Sequence, residues 1–299
     1  MSINEIERAL AHRLPTDFAK DFYPRAMRRL AEYGIFRGLH DVTTRHGFRM
    51  FVDRLDAVKW YIYYFGEFEP QISLAWKNVL RPGDAVLDIG ANVGYHSLLA
   101  ASLVGPTGRV FSVEPGERIH PQLLRHKQLN GFDHIVPIKK AVSDKTEVAR
   151  FYYGGDNIQG NSSLVGTGDQ PFDLVECVSF IDLGDQVPLD EVRLIKIDVE
   201  GAEDRVIAGM AKILDKLRAD TLLFVEISPE NAERAADILK PLADAGFHMR
   251  LIANEYTTAF YRREARVELT PAHFSPGKIH DVILCRDEAM FERIVGKPQ

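Results

Sequence analysis

The sequence has few cysteines, no long apolar run and no sign of a secretion signal. Its 299 residues include two cysteines, Cys177 and Cys285. Both fall among apolar residues, so we expect buried free thiols and a reducing compartment, the cytoplasm, rather than a disulfide framework. No apolar stretch approaches the ~18 residues that a membrane span needs. The start M-S-I-N-E-I-E-R is acidic and lacks the apolar core of a signal peptide, so we expect no membrane association.

An excess of positive charge is also absent. The 43 acidic residues outnumber the 37 basic ones, and the net charge at pH 7 is -6. General nucleic-acid-binding proteins usually have a basic footprint, whereas the short basic groups around Arg28 and at Arg262-Arg263 are typical of solvated surface. We therefore expect no nucleic acid as a partner. The sequence leaves the oligomeric state open, including a homo-oligomer.

The first 69 residues differ in pattern from the rest. We predict that residues 1–69 form an N-terminal helical and hairpin extension, which packs on a main domain of residues 70–299. Its elements follow from the spacing of apolar and aromatic residues. They are predicted as helices over 3–13 and 17–33, a strand or hairpin over 44–53, and an aromatic helix over 57–65.

From residue 81 onward, predicted strands and helices alternate, which indicates an α/β fold with a mostly parallel sheet and helices on both faces. The last two strands have no helix between them, so we expect an antiparallel pair at the sheet edge. A polar loop over 154–171 is long enough to be functional or mobile, and its segment 160–164 could cover an acceptor. The predicted strands are 85–89, 109–113, 135–142, 148–153, 174–180, 194–197, 221–225, 247–253 and 279–285; the predicted helices are 71–79, 95–104, 121–130, 204–215 and 230–245.

The segment V-L-D-I-G-A-N-V-G-Y-H-S at 86–97 combines a strand, a tight turn and the start of a helix. Gly90 and Gly94 would let the backbone approach a ligand in conformations closed to other residues. The helix start supplies free N–H groups and the positive end of the helix dipole. Asp88 at the strand tip repels phosphate but suits a cation or ribose hydroxyls. The loop therefore favours a nucleoside ligand without pyrophosphate.

A second acidic residue agrees with this interpretation. Glu114-Pro115 follows the strand over 109–113, about 20 residues after the glycine loop, where a carboxylate is placed to bind two ribose hydroxyls. Together the two strand ends predict a pocket for adenosine with a charged tail.

Four motifs resemble the FkbM family of S-adenosylmethionine-dependent methyltransferases: D-I-G-A-N-V-G-Y-H-S, S-V-E-P, L-I-K-I-D-V-E-G-A-E and L-F-V-E-I. The resemblance covers residues 66–226, and the third motif is its most specific part. It implies a Rossmann-like seven-stranded sheet with an antiparallel last strand, and S-adenosylmethionine as cofactor. It also implies methyl transfer to oxygen of a small-molecule or glycan acceptor, mostly to hydroxyls of sugars, glycoconjugates or polyketide and peptide natural products. A family segment G-x-Y-E-P reads G-E-F-E-P here, with Phe68 in place of the tyrosine.

The resemblance also assigns cofactor residues. Glu114 would hold the ribose, and the segment 141–144 would flank the adenine. Asn92 and Asp144 keep a structural alternative, because either side chain can stabilise its own turn. The cofactor-binding residues implied in this way are Glu69, Asp88, Gly90, Asn92, Gly94, Tyr95, Glu114, Pro115, Val142, Ser143, Asp144 and Asp198.

Acidic residues also end the fourth and fifth strands of the alternating pattern. Asp198 and Glu200 follow one strand, and Glu226 follows the next. Because ligands bind outside the carboxyl ends of such strands, we predict these three as catalytic residues that accept the proton of an acceptor hydroxyl, an effect typically worth about 10²–10⁴-fold. The same three could instead bind a divalent cation, although the Asp-Asn pair of catechol-type methyltransferases is replaced by Glu-Ile-Ser. Lys196, His96 and His280 are nearby residues to which the sequence gives no single role.

Two other functions remain as alternatives. An NAD-dependent oxidoreductase would use a similar sheet, but the middle glycine of G-x-G-x-x-G is missing and Asp88 stands where pyrophosphate would bind. A non-catalytic nucleoside-binding module would keep the pocket without transferring anything. The acids at two adjacent strand tips argue against the second alternative.

Overall fold

The computed structural model describes residues 38–53, 56–154, 162–166 and 169–296, without the side chains of residues 57, 58 and 258. The helices predicted over 3–13 and 17–33 lie outside these ranges. Among the helices that the structure describes, none is long and apolar enough to cross a bilayer.

The order of elements follows the predicted alternation closely. The strands are β1 (His40–Thr43), β2 (Arg49–Val52), β3 (Ala85–Ile89), β4 (Arg109–Val113), β5 (Ile135–Ile138), β6 (Ala141–Ser143), β7 (Glu147–Tyr152), β8 (Phe172–Ser179), β9 (Val192–Ile197), β10 (Leu222–Ile227), β11 (His248–Ile252), β12 (Leu269–Pro271) and β13 (His280–Cys285). The α-helices are α1 (Ala57–Phe65), α2 (Pro70–Val79), α3 (Tyr95–Val104), α4 (His120–Asn130), α5 (Phe180–Leu183), α6 (Glu203–Met210), α7 (Ala235–Asp244), α8 (Thr258–Arg262) and α9 (Ala289–Val295).

The central sheet has the strand order β12–β11–β13–β10–β9–β3–β4–β5. The strands from β5 to β10 in this order are parallel, and β13 is antiparallel to both β10 and β11. The predicted mostly parallel sheet with an antiparallel last strand is therefore confirmed. In the sheet, β13 lies between β10 and β11. The predicted antiparallel pairing of the last two strands, β11 and β13, is therefore found, but β13 is not at the sheet edge. The short β12 adds an eighth strand beside β11.

The strand predicted over 135–142 is wrong as a single element. A turn closed by the Lys140 N–H, which donates to the Ile138 carbonyl at 3.1 Å, redirects the chain after β5. The next residues form β6, which pairs with β8 in a separate three-stranded sheet of order β6–β8–β7. The helix predicted over 204–215 is also shorter than expected, since α6 ends at Met210 and a 3₁₀ turn follows at Leu214–Lys216. The helix predicted over 230–245 likewise begins as a 3₁₀ turn, Ala232–Arg234.

Side chains alternate between two hydrophobic cores on opposite faces of the sheet. Along β3, Val86 belongs to the first core, whereas Leu87 and Ile89 belong to the second. Helices α1, α2, α3 and α9 and the β1–β2 hairpin cover the first core, and α5, α6 and α7 cover the second. The described part of the N-terminal extension thus shares a core with the sheet. The boundary at residue 69 stays a prediction.

Candidate active site

Four adjacent strands each place one polar residue on the face of the first core, at the carboxyl end of the parallel strands. These are Asp88 on β3, Lys196 on β9, Glu226 on β10 and Asp281 on β13, each at most 9% exposed. Asp88 is in register with Lys196, and Glu226 is in register with Asp281. Because side chains alternate along a strand, all four project from the same face. The fold therefore concentrates buried charge along one edge of the sheet.

A cavity of about 730 Å³ opens at this edge. Most of the residues assigned from sequence lie in its wall. Gly94, Ser143 and Asp144 do not line it. The predicted residues that do are Glu69, Asp88, Gly90, Asn92, Tyr95, Glu114, Pro115, Val142, Asp198, Glu200 and Glu226.

The glycines of the β3–α3 loop have positive φ angles and lie close to other protein atoms. Gly90 has φ +81°, and a Cβ there would lie 1.7 Å from the carbonyl oxygen of Asp198. Gly94 has φ +92°, and a Cβ there would lie 2.5 Å from Leu123 Cδ1. Gly90 lines the cavity, so its approach to a ligand stays a prediction, whereas Gly94 does not line it. The Asn92 side chain accepts the Val93 N–H at 2.8 Å, which agrees with the turn-stabilising alternative.

Asp88 is fully buried at the base of the cavity. Its Oδ2 accepts a hydrogen bond from Ser97 Oγ at 2.6 Å, and Ser97 Oγ accepts one from Ser112 Oγ at 2.7 Å. Its Oδ1 has no partner among the described residues. Burial raises the pKa of Asp88, while Lys196 and the hydrogen bond from Ser97 act in the opposite direction. A cationic or hydrogen-bond-donating ligand group would satisfy this oxygen.

Glu114 joins the ends of β3 and β4. Its Oε2 accepts the Asn92 N–H at 2.9 Å, and its Oε1 accepts the Gly116 N–H at 2.8 Å. Burial raises its pKa to about 7, although both hydrogen bonds lower it. Each oxygen keeps lone-pair capacity for a further donor. The carboxylate is therefore fixed in place and still able to accept ribose hydroxyls.

The structure separates Ser143 and Asp144 from the cavity, although Val142 lines it. Ser143 Oγ donates to Asp144 Oδ1 at 3.1 Å. The Ser143 carbonyl lies against α6, where a Cβ on Gly209 would be 2.7 Å from its oxygen. Because β6 pairs with β8 and α6 covers it, these two residues face the helix rather than the cavity.

Lys196, which is buried, and Asp198, which is partly exposed, form an ion pair beside the cavity. Lys196 Nζ donates to Asp198 Oδ2 at 2.6 Å. Burial alone would lower the pKa of Lys196, but the carboxylates of Asp198, Glu69 and Asp88 outweigh it and the pKa is raised. Of the described residues that line the cavity, only Lys196 and Lys140 are lysine or arginine. Acidic residues therefore outnumber basic ones in the cavity wall.

Two glutamates near this pair have raised pKa values. Burial, followed by the charges of Asp198 and Glu203, raises the pKa of Glu200 to about 8. Burial and the charges of Asp198 and Asp281 raise the pKa of Glu226 well above its usual range. A carboxyl group with the pKa of Glu200 can exchange protons near neutral pH.

Backbone strain is also concentrated here. The non-glycine residues with positive φ in the described parts of the chain are Glu69 at 47°, Asn92 at 49° and Glu200 at 50°. All three line the cavity. Each such conformation costs of order 1–3 kcal/mol and persists only where surrounding structure imposes it. Their shared location supports a functional role for this cavity.

Sequence reasoning missed several residues of the site. Asp281 could have been found, because the first residues of an antiparallel last strand lie at the carboxyl edge of the parallel ones. Tyr256, whose hydroxyl donates to Glu69 Oε1 at 2.5 Å, gave no sequence signal. Glu203, at the start of α6, also has a structural role. Its Oε1 accepts hydrogen bonds from the Gly201 N–H and from Ser228 Oγ, both at 2.7 Å. These two bonds connect the segments that follow β9 and β10.

Three residues without an assigned role can now be placed. His96 lines the cavity and Lys196 is in the ion pair. The His280 ring packs against Phe274 on the opposite face and is outside the cavity wall. Of the segment 160–164, residues Ser162–Leu164 are described and line the cavity, whereas 160–161 lie outside the described residues.

The strand order, the reversed β13 and an acid-lined cavity at the carboxyl edge define a class I methyltransferase fold. Residues 88–249, more than half of the chain, match the family model described as the methyltransferase FkbM domain. The chain belongs to the FkbM methyltransferase family, whose cofactor is S-adenosylmethionine. This membership favours methyl transfer over the dehydrogenase alternative.

Individual known proteins are similar to this chain over parts of it that differ in length. An FkbM methyltransferase of Methylobacillus flagellatus KT is 18% identical with a TM-score of 0.41, over 76% of this chain and 52% of that one. Fibrillarin of Aeropyrum pernix, solved with natively bound S-adenosylmethionine, is 17% identical with a TM-score of 0.42, over 83% and 94%. A protein-L-isoaspartate O-methyltransferase of Methanopyrus kandleri is 39% identical over 67 residues, which are 22% of this chain and 29% of that protein. The chain thus spans less than a third of this curated relative.

The residues present fit S-adenosylmethionine. Asp88 offers an unsatisfied buried oxygen to a donor such as an ammonium group, and Glu114 offers a fixed carboxylate to a diol. The surrounding acids suit a positively charged ligand. When bound, this cofactor supplies a methyl group activated by its attachment to a sulfonium.

Proposed function

We propose that this protein is an S-adenosylmethionine-dependent O-methyltransferase that acts on a hydroxyl of a sugar, a glycoconjugate or a polyketide or peptide natural product. The observation that carries the proposal is the cluster of Asp198, Glu200 and Glu226. A carboxylate oxygen from each lies within 4.8 Å of the others, in the wall of the cavity that holds the predicted cofactor residues. The two free buried thiols support the cytoplasm as its compartment.

The acids supply what an alcohol needs in order to react. A hydroxyl is a poor nucleophile until its proton leaves, and a positioned base contributes typically about 10²–10⁴-fold. Glu200, with a pKa of about 8, accepts that proton on its carboxylate as the new carbon–oxygen bond forms. Asp198, whose carboxylate is oriented by Lys196, accepts a hydrogen bond from the acceptor and fixes its position.

The charge of the cavity favours a neutral or cationic acceptor. Glu69, Asp198, Glu200 and Glu226 all line it, and those that are ionised would repel an acceptor carboxylate in a site shielded from water. The expected product is therefore a methyl ether and not a methyl ester.

The experiment is transfer of a labelled methyl group from S-adenosylmethionine to a panel of sugars, glycosides and hydroxylated natural products. We expect an alkali-stable label on at least one acceptor. Glu200→Gln should reduce kcat at least 100-fold, in line with loss of a general base, while S-adenosylhomocysteine affinity stays within about threefold. Glu67→Gln is the matched control, because Glu67 is also a buried acid but does not line the cavity.

Two outcomes would contradict the proposal. An alkali-labile product would indicate carboxyl methylation. Tight binding of S-adenosylhomocysteine without transfer to any acceptor would favour the non-catalytic nucleoside-binding module.

A further inference from the structure

Asp198, Glu200 and Glu226 are called the Asp198 cluster below. A second group of acids shares Glu226 with this cluster and comes from three separate parts of the fold. Glu69 directly precedes α2, Glu226 is the second-last residue of β10, and Asp281 is the second residue of β13. A carboxylate oxygen from each lies within 4.8 Å of the others. Glu226 and Asp281 stand directly opposite each other across the two strands. Like charges at such a position destabilise a sheet, so a proton or a positively charged group must offset the repulsion between these carboxylates.

The described side chains provide only part of that compensation, through the charge of Lys196. Glu69 is 1% exposed, and its Oε1 accepts the Tyr256 hydroxyl at 2.5 Å. Its Oε2 has no hydrogen-bond partner in the part of the chain that the structure describes. His96 Nε2 lies 3.3 Å away but makes no hydrogen bond there. A carboxylate oxygen this deeply buried is costly to leave unpaired.

The nearby lysine, Lys196, forms its hydrogen bond with a residue outside this group. Lys196 Nζ donates to Asp198 at 2.6 Å. Asp281 is held by the Asn254 amide, which donates to its Oδ2 at 3.0 Å, and the Asn254 side-chain oxygen is itself buried without a partner in the described residues. The group therefore offers several oriented oxygens and no cation of its own.

We propose that Glu69, Glu226 and Asp281 bind a divalent cation of the hard, oxygen-preferring class, such as Mg²⁺, Mn²⁺ or Ca²⁺. Oxygen ligands of this kind are those that these ions select. The site differs from the Asp198, Glu200 and Glu226 cluster, in which Asp198 already holds an ammonium group. At the cavity wall, the ion would bind the acceptor oxygen and make its hydroxyl more acidic. This role rests on the proposed function, whereas the site itself does not.

The test is titration of the full-length, chelator-treated protein with Mn²⁺, followed through the electron paramagnetic resonance signal of the free ion. We expect saturable binding of one ion per chain. Glu69→Gln and Asp281→Asn should each weaken it at least tenfold. Glu67→Gln should leave it within about twofold, because Glu67 is a buried acid in the same segment but outside the group.

Two results would overturn the proposal. One is absence of saturable Mn²⁺ binding by the wild-type protein up to about 10 mM, beyond the weakest sites of this class at about 10⁻³ M. The other is loss of binding in Glu200→Gln but not in Glu69→Gln or Asp281→Asn, which would move the ion to the Asp198 cluster. A cooperative thermal unfolding transition of each variant reports that it is folded. Mn²⁺ binding needs no methyl acceptor. The cation site can therefore be confirmed or refuted even if the methyl-transfer assay fails.

Discussion

Replacing Lys196 by methionine should destabilise the protein strongly, because its ammonium group compensates several buried carboxylates. The side chain is 5% exposed and lies between Asp198, Glu69 and Asp88, which together raise its pKa against the effect of burial. Methionine fills a similar volume without the charge. The substitution therefore removes the electrostatic contribution while leaving little cavity.

The size of the effect follows from the geometry. At 2.6 Å from Asp198, and with an effective dielectric constant of about 20, the attraction between the unit charges is about 6 kcal/mol. The cost of removing both ions from water offsets part of it. Measured losses on removing one partner of a fully buried pair are about 3–5 kcal/mol. Because the Asp198 side chain is 23% exposed, we expect Lys196→Met to cost about 3 kcal/mol at pH 7, at the lower end of that range. The loss should shrink at lower pH, as the neighbouring carboxyl groups take up protons.

Equilibrium urea unfolding of Lys196→Met and of the double variant Lys196→Met, Asp198→Asn measures this directly. The second substitution removes the charge left unpaired, so the double variant should recover at least about 2 kcal/mol relative to the single one. A loss below about 1 kcal/mol for Lys196→Met, or a further loss in the double variant, would refute the electrostatic explanation.

Three further predictions concern the same site. Gly90→Ala should lower stability by more than about 3 kcal/mol, because its Cβ would meet backbone at 1.7 Å; Gly246→Ala, with φ +84° and open space around it, should lose only about 1 kcal/mol in the same thermal unfolding assay. Glu200→Gln should gain stability relative to wild type as the pH rises from about 5 to 8, because the folded chain holds a proton there that the unfolded chain releases near pH 4.5; a constant difference across pH would contradict the raised pKa. Ser97→Ala should cost about 1–3 kcal/mol and raise the pKa of Asp88, since it removes the donor to Oδ2; unchanged urea unfolding would show that the hydrogen bond contributes little.

The parts of the fold that could be predicted are those whose signals are local. β3 and α3 have the predicted bounds because an apolar strand, two glycines and an apolar helix follow one another within 20 residues. β4 is bounded as predicted for the same reason. By contrast, the end of β5 depends on a tight turn at Lys140, and the continuing apolar residues gave no indication that the chain changes sheets there.

The site was partly predictable for a related reason. Acids that end parallel strands, such as Asp198 and Glu226, can be placed from strand order alone. Asp281 joins them because β13 enters between β10 and β11 in the opposite direction, which is a property of the assembled sheet. The left-handed backbone of Glu69 and Glu200 is invisible in sequence, because local preference at both positions favours glycine and only tertiary contacts impose it on an acid.

The most direct test of the account is calorimetric titration of the cofactor-free protein with S-adenosylhomocysteine. We predict binding in the micromolar range, and at least tenfold weaker binding by Asp88→Asn, whose substitution removes the charge beside the unsatisfied oxygen. The absence of binding by a folded sample, or tighter binding of a nicotinamide dinucleotide, would contradict the assignment of this cavity to S-adenosylmethionine.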